Sequence, residues 1–217
     1  LLVKPRADGC SSGIVHLYSP QDFLVYLDYL RAKACFIPKK TFAGQRENVE
    51  MPLQEVDELL LEKFIVTDRI IVQDHSLEYE RTSGWIEITA GVLEKDGRLQ
   101  VFNPSLTLSE GEVLTVEEKF QGGTGINITP PPEEIVGSAA LARAKDLLLQ
   151  VALAFGLTGY ARLDAFLEVD TGRVMLIEVN TLPALTPSTV LFQQALSCDP
   201  PIFPRELIEA LIANRGY

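Results

Sequence analysis

Two short segments decide the fold of this chain: Arg162-Leu163-Asp164 and Glu178-Val179-Asn180. Each lies in a stretch, residues 159–167 and residues 173–180, whose composition and alternation are typical of a β-strand. Residues 170–172 between them are typical of a three-residue turn with glycine in the left-handed conformation. The sequence therefore predicts an antiparallel hairpin.

The predicted hairpin brings polar side chains together. Pairing about Thr171 sets Asp164 opposite Glu178. The same register sets Arg162 opposite Asn180. Because side chains alternate along a strand, these four share one face. The other face is predicted to be core and carries Leu163, Ala165, Ile177 and Val179. A bulge, which is frequent beside such turns, would slip this register by one residue.

Two opposed carboxylates need a stabilising partner, because like charges directly across a strand pair repel each other. A divalent cation supplies one, since Mg²⁺ binds carboxylate and amide oxygens and usually takes phosphate oxygens as further ligands. The alternative is that Arg162 neutralises the pair at a solvated surface. The rest of the sequence favours the cation.

Composition limits the classes of function. The 217 residues are 47% hydrophobic and 23% charged, which is ordinary for one globular domain or two small lobes. The net charge of -11 argues against sequence-independent nucleic-acid binding, which needs clustered Lys and Arg. No apolar run is long enough to span a bilayer, so we expect no membrane partner.

The cysteines and histidines do not indicate a zinc or catalytic-histidine site. Cys10, Cys35 and Cys198 lack the spacing of metal ligands and indicate free thiols in a reducing compartment. His16 and His75 are isolated, which is typical of surface or strand residues.

The order of the predicted elements is that of an α+β protein with a central, mostly antiparallel sheet. Short strands come first, and helical spacing appears at residues 20–34, after the candidate cap Ser19, and again at residues 134–155. Residues 36–56 are polar and contain proline, which predicts a variable insertion. The chain opens on strand-like residues without an initiator Met, so we expect it to be part of a longer polypeptide.

Further segments accompany the hairpin: Lys4-Pro5 before a Gly/Ser loop, Glu62-Lys63-Phe64, Lys119-Phe120 and Thr181-Leu182-Pro183. Together they resemble the ATP-grasp ligases and, within these, the D-alanine:D-alanine ligase family. The resemblance covers nearly the whole chain and is strongest over residues 159–196. The loops at residues 9–13 and 122–127 are similar to a plant and algal subgroup in which ligase units are duplicated.

The resemblance implies an ATP-grasp fold of two lobes with central, mostly antiparallel sheets, without the family's N-terminal substrate domain. Residues 1–65 would form part of the small ATP-binding lobe. Residues 66–217 would form the large C-terminal lobe with the metal and acceptor site.

The resemblance also implies roles for single residues. Two Mg²⁺ ions, with Mn²⁺ as an alternative, would be held by Asp164, Glu178 and Asn180. ATP would be contacted by Lys4, Glu62, Lys63, Phe64, Ile65 and Lys119. Catalytic roles fall on Arg162 at the tetrahedral intermediate, on Ser11 in the loop over the phosphates and on a backbone N–H at Ala184. The second substrate would be contacted by Phe120, Thr189 and Val190.

The reaction implied by the resemblance joins two D-alanines through a D-alanyl phosphate, as in peptidoglycan precursor synthesis for the cell wall. The fragment alone is expected to be inactive. The expected partners are ATP and D-alanine, and either a second copy in a homodimer or a second ligase unit of the same polypeptide. The expected location is the cytoplasm, or the plastid stroma if the source is a photosynthetic eukaryote.

Four positions depart from the family pattern. Phe120 replaces a Tyr, which makes D-lactate an alternative acceptor. Arg69 stands where an acidic residue holds the ATP ribose, unless Asp68 takes that role after a shift of one residue. Cys10 replaces a Ser, and Ala184 replaces a Gly. The alternative function is therefore a catalytically lapsed, nucleotide-binding half of a duplicated ligase.

Overall fold

The computed structural model describes residues 1–7, 11–73, 76–108, 126–186 and 189–214. The chain divides into two compact units, Leu1–Ile65 and Val66–Tyr217.

The first unit is built on a three-stranded antiparallel sheet. Its elements are β1 (Leu2–Pro5), β2 (Val15–His16), α1 (Pro20–Arg31), β3 (Phe36–Ile37), β4 (Val49–Glu50) and β5 (Leu59–Glu62). In the sheet, β1 lies between β2 and β5. The predicted cap Ser19 starts α1, because its hydroxyl accepts the Asp22 backbone N–H at 3.2 Å while the Asp22 carboxylate accepts the Ser19 N–H at 2.9 Å.

Residues 36–56, predicted to be a variable insertion, contribute side chains to the core of the first unit. Within this segment β3 and β4 pair antiparallel. Ile37, Phe42 and Met51 are buried in one cluster with Tyr26 of α1. This packing could not be predicted, because polar residues and prolines separate these apolar residues and the segment has neither a helical nor a strand period.

The second unit is built on a six-stranded antiparallel sheet. Its elements are β6 (Arg69–Gln73), β7 (Ser76–Glu80), β8 (Trp85–Lys95), β9 (Arg98–Val101), β10 (Ser105–Leu108), β11 (Ile126–Ile128), α2 (Ser138–Ala154), β12 (Tyr160–Glu168), β13 (Val174–Asn180), α3 (Val190–Leu196) and α4 (Pro204–Ala213). The strand order is β11-β10-β8-β12-β13, with β9 also paired to β8. A separate hairpin is formed by β6 and β7.

Helix α2 packs on one face of the large sheet through a stripe of mostly small residues. Its buried residues recur every fourth position and are Ala140, Ala144, Leu148 and Ala152. Small side chains let the helix backbone approach the sheet closely. The turn of the β12–β13 hairpin also lies against this helix, since Gly172 has a φ of 71° and an added Cβ would lie 2.2 Å from the Ala140 carbonyl oxygen.

Helices α3 and α4 pack on the other face. Leu191 and Ala195 of α3 and Leu207 of α4 form a cluster with Leu93 of β8 and with Phe102. The neighbours of Leu93 along β8, such as Ala90 and Val92, point to the opposite face and belong to the cluster against α2. None of the helices in the described ranges combines the length and the apolarity that crossing a bilayer requires.

Candidate functional site

The predicted polar cluster lies on one face of the β12–β13 hairpin. Arg162 pairs with Asn180, and Asp164 pairs with Glu178, which confirms the predicted register at these positions. The alternate residues of β12 are buried and face the core, namely Ala161, Leu163, Ala165 and Leu167. The strict alternation of β12 therefore holds Arg162 and Asp164 on the face opposite α2.

Asp164 is the centre of this cluster. Its Oδ1 accepts hydrogen bonds from Thr89 Oγ1 at 2.6 Å and from Arg162 Nε at 2.9 Å. Its Oδ2 accepts from Arg162 Nη2 at 2.8 Å and from Asn180 Nδ2 at 2.9 Å. These four bonds use about four acceptor positions, the capacity of a carboxylate. All four donors belong to side chains, so each can be released by a rotation.

The carboxylate of Asp164 stays ionised in spite of its burial. Its side chain is 14% exposed. Burial opposes the charge, but the hydrogen bonds and charge of Arg162, together with the Thr89 hydroxyl, outweigh burial and lower the pKa of Asp164. Burial likewise opposes the charge of Arg162, and Asp164 outweighs it and raises the pKa of Arg162.

Asn180 links the two carboxylates. Its Nδ2 donates to Asp164 Oδ2 at 2.9 Å and to Glu178 Oε1 at 3.0 Å. Arg162 Nη2 lies 3.9 Å from the same Glu178 oxygen. The Glu178 side chain is 56% exposed and opens the cluster toward solvent. Arg162 and Asn180 thus relieve the repulsion between the carboxylates, as the charge-neutralisation alternative describes, although Asp164 is buried rather than solvated.

A bulge sets the register of the hairpin. Asp164 pairs with Glu178, but the next residue, Ala165, pairs with Leu176. Ile177 is therefore the extra residue of β13. Val174 and Leu176 pack against the core in place of Ile177, so the prediction that Ile177 faces the core is wrong.

The turn is one residue longer than predicted, and this shifts the strand pairing in the direction opposite to the bulge. The Glu168 backbone N–H donates to the Arg173 carbonyl at 2.9 Å, so the loop consists of four residues, 169–172, instead of three. Pairing about Thr171 throughout would have turned Arg173 and Met175 toward the core. The longer loop turns apolar residues inward instead, and the bulge then restores the predicted register at the site.

The donor set fits a hard divalent cation in its chemistry. Two carboxylates and an amide offer the oxygen ligands that Mg²⁺ takes. One atom, Asn180 Nδ2, already lies within 3.0 Å of an oxygen of Asp164 and an oxygen of Glu178. Rotation of this amide would present its oxygen and free one acceptor on each carboxylate. In the described ranges no group of three His, Cys, Asp or Glu side chains is placed to hold a metal, so this set depends on the amide.

Two of the candidates in the first unit, Lys4 and Glu62, lie on its sheet, and the others lie outside the strands. Lys4 of β1 and Glu62 of β5 form an ion pair, with Nζ 2.8 Å from Oε2. Phe64 stacks on His16, with ring centroids 3.8 Å apart and planes inclined by 13°. Ser11 has a left-handed φ of 60°. Of the remaining candidates in this unit, Lys63 is exposed and Ile65 is half-buried.

Asp68 is committed to a turn, which argues against its replacing the missing ribose acid. Its Oδ1 accepts the backbone N–H groups of residues 82–84 at 2.7–2.8 Å, and its Oδ2 accepts the Tyr79 hydroxyl at 2.7 Å. Burial opposes its charge, but these bonds lower the pKa of Asp68 to about 2. Arg69 is exposed, with Nη1 3.7 Å from Glu80 Oε2.

The acceptor-side candidates lie at the start of α3 and in the loop before it. The backbone N–H and the hydroxyl of Thr189 both donate to the Thr186 carbonyl, at 2.9 and 2.8 Å. Val190 is the half-buried first residue of α3, and Ala184 is exposed. Three further positions, Cys10, Lys119 and Phe120, lie outside the described residues.

Sequence reasoning missed Thr89 and Gln194. Thr89 supplies the shortest hydrogen bond to Asp164. Gln194 is fully buried and bonds to the backbone of β8. The available indication was a polar residue on the apolar face of a short helix, between Leu191 and Ala195. The burial of this polar side chain is explained only by its hydrogen bonds to β8, which is far away in the sequence.

The fold and the site first define the class of protein. A solved D-alanine–D-alanine ligase from Bacillus anthracis, complexed with ATP, matches 98% of this chain and 51% of its own length, with a TM-score of 0.55 and 18% identity. At this identity the likeness establishes the fold alone. The chain has the ATP-grasp fold, as predicted.

Sequence comparison then gives the family. The family described as D-ala D-ala ligase C-terminus matches residues 49–213, and the chain therefore belongs to it. A D-alanine–D-alanine ligase of Nitratidesulfovibrio vulgaris is 31% identical over 133 residues, which are 60% of this chain and 42% of that protein. The ligase of Leptospira biflexa is 29% identical over 163 residues, or 72% of this chain and 43% of that protein. The chain spans less than half the length of these two relatives.

Proposed function

We propose that these residues form the ATP-binding and catalytic part of an ATP-dependent ligase that joins two D-alanines, as for peptidoglycan precursor synthesis. The observation that supports it most strongly is the face of the β12–β13 hairpin, where Asp164, Glu178 and Asn180 meet beside Arg162 in a chain of this family. A buried carboxylate with exchangeable side-chain donors suits a site that must take up a cation.

In this proposal Asp164, Glu178 and Asn180 hold two Mg²⁺ ions, for which Mn²⁺ can substitute. Bound there with ATP, the ions neutralise phosphate charge and polarise the transferred phosphoryl group. Lys4 and Lys119 contact the phosphates, the loop of Ser11 covers them, and residues 62–65 line the adenine.

The chain's own residues then orient and stabilise the reacting groups. The carboxylate of one D-alanine takes the γ-phosphoryl group of ATP, giving D-alanyl phosphate and ADP. The amine of the second D-alanine attacks the acyl carbon and releases phosphate. Arg162 and the backbone N–H at Ala184 stabilise the negative tetrahedral intermediate. The second substrate lies against Phe120, Thr189 and Val190.

The proposal is tested with the intact natural protein that contains these residues, supplied with ATP, Mg²⁺ and D-alanine. We expect D-alanine-dependent phosphate release and an equal amount of dipeptide. The same assay with D-lactate identifies the acceptor, since Phe120 departs from the family pattern at that position. Absence of phosphate release with either acceptor would overturn the proposal.

A second candidate function is a nucleotide-binding unit that has lost its chemistry. The observation that favours it is the ribose position, where Arg69 is a cation and the neighbouring Asp68 is committed to a turn. A cation cannot accept hydrogen bonds from ribose hydroxyls. Calorimetry showing Mg-ATP binding without turnover would support this candidate. Activity gained in Arg69→Glu would assign the loss to that position.

A further inference from the structure

The buried side chain of Gln194 joins helix α3 to the strand that supports Asp164. Gln194 is 0% exposed. Its Oε1 accepts the Gly91 backbone N–H at 2.7 Å, and its Nε2 donates to the Thr89 carbonyl at 2.8 Å and to Ser105 Oγ at 3.0 Å. The primary amide therefore supplies β8 with one acceptor and one donor, as a residue of a neighbouring strand would.

These bonds fill an interruption in the sheet. On this edge of β8, β10 pairs at Ile88 and Thr89 and β9 pairs from Val92 onward, and after β9 the Phe102 N–H donates to the Gly91 carbonyl at 2.9 Å while the Gly91 N–H is left for Gln194. Gly91 lies in the interval and has no side chain, so that α3 can come close. An added Cβ there would lie 2.4 Å from Leu191 Cδ1. Helix α3 can therefore approach β8 because residue 91 is a glycine. The side-chain amide of Gln194 then fixes the helix at this distance.

The two strand residues that Gln194 holds are the cross-strand neighbours of the candidate site residues. Gly91 pairs with Arg162, and Thr89 pairs with Asp164. Thr89 Oγ1 also donates to Asp164 Oδ1 at 2.6 Å. A displacement of β8 relative to α3 therefore moves a donor that helps to hold Asp164.

The other end of this connection is the acceptor side of the proposed site. Gln194 lies one helical turn after Val190, the first residue of α3, and Thr189 directly precedes the helix. Because a short helix moves as a rigid element, the position of its first residue follows the anchoring of Gln194.

We propose that Gln194 is a positioning residue that couples the acceptor-side start of α3 to Asp164 through Thr89. The inference rests on the proposed function and deepens it, since Gln194 itself contacts neither the substrates nor the metal in that scheme. A positioning residue affects cation binding and acceptor binding together. A residue that serves packing alone affects only stability.

The test compares Gln194→Glu with Gln193→Ala in the intact natural protein. A glutamate keeps the size of Gln194 and an acceptor for the Gly91 N–H, but its carboxylate cannot donate to the Thr89 carbonyl. Gln193 is the exposed neighbour of the same type and gives a matched control.

Two quantities are measured at a temperature at which every variant is folded. One is the affinity for Mn²⁺ in the presence of a non-hydrolysable ATP analogue, by calorimetry, and the other is the KM for the second D-alanine. In Gln194→Glu we expect the Mn²⁺ affinity to fall about tenfold and this KM to rise about threefold, as for loss of an outer partner of a metal ligand. Gln193→Ala should leave both at their wild-type values.

The outcomes separate this inference from the proposed function. If wild type binds Mn²⁺ but forms no dipeptide, the proposed function fails and the Mn²⁺ titration still decides on Gln194. Wild-type Mn²⁺ affinity in Gln194→Glu overturns the inference, and so does an absence of Mn²⁺ binding by the wild type. If Gln194→Glu does not fold, Thr89→Val replaces it, because it breaks the next bond of the connection and leaves α3 anchored. Unchanged Mn²⁺ affinity in Thr89→Val overturns the inference as well.

Discussion

Asp68 and Asp164 are both poorly exposed carboxylates with lowered pKa values, yet their hydrogen-bond donors differ. Asp68 is held mainly by the backbone N–H groups of residues 82–84, which cannot leave without opening the turn. Among the described residues, Asp164 is held by side chains alone, and these can rotate away. Burial and a low pKa therefore do not distinguish these two carboxylates, whereas the kind of donor does.

The largest effect that this comparison predicts is on activity. Asp164→Asn removes a cation ligand of the proposed site, so we expect dipeptide formation to fall about a hundredfold to thousandfold, the equivalent of several kcal/mol of transition-state stabilisation. Asp68→Asn is the matched control and should keep its activity per folded molecule. Equal losses in the two variants, measured as initial rates of phosphate release, would break the comparison.

The next effect is on stability and falls on the other carboxylate. Asp68→Ala leaves three backbone N–H groups without their acceptor, two of them partly buried and that of Gly84 buried, which should lower the free energy of unfolding by about 3 kcal/mol. Urea titration followed by circular dichroism measures it. Asp170→Ala, which removes an exposed ion pair with Arg81 beside the same turn, should cost less than about 1 kcal/mol. A loss of similar size in both would contradict a structural role for Asp68.

The acid dependence of stability sharpens the same assignment. The pKa of Asp68 is about 2 in the folded chain, below its ordinary value. Between about pH 4 and pH 2 the unfolded chain therefore binds more protons at this carboxyl, and the stabilisation, on the order of 2 kcal/mol, is present above that range and lost as the pH falls through it. Urea midpoints measured across this range should fall less steeply in Asp68→Ala. If the urea midpoints of the wild type and of Asp68→Ala fall equally steeply with pH, another group causes the loss of stability in acid.

The smallest effect concerns the donors of Asp164. Thr89→Val keeps the shape of the side chain but removes one of four hydrogen bonds, so the Mg²⁺ concentration for half-maximal activity should rise about tenfold. Thr89→Ser retains the hydroxyl and should stay near wild type. If Thr89→Ser requires as much Mg²⁺ as Thr89→Val, the methyl group rather than the hydrogen bond is responsible.

The parts of the molecule that were predictable are those with local causes. The alternation of residues 159–167 gave the buried face of β12, and the glycine at 172 gave the left-handed turn position. The cap at Ser19 was likewise visible, because its partner is three residues away.

What escaped prediction depends on residues far apart in the sequence. Gln194 bonds to Gly91, and Asp68 to residues 82–84, and nothing local in either segment specifies these partners. The buried apolar residues of segment 36–56 follow neither a helical nor a strand periodicity, because each one enters the core separately. A bulge beside the turn was anticipated, but its place at Ile177 and the four-residue loop were not, because their effects on the register cancel.

That bulge has a consequence for how this hairpin can evolve. On one side of Ile177 the paired residues pack in the core, and on the other side lie Asp164 and Glu178, the proposed cation ligands. A bulge can compensate for a shift in strand pairing. The part of the hairpin between the bulge and the turn can therefore change its register, or its loop can change length, without moving the two carboxylates to the other face. Two such changes that are each damaging alone can be harmless in combination, so the natural history of this turn should contain paired rather than single events.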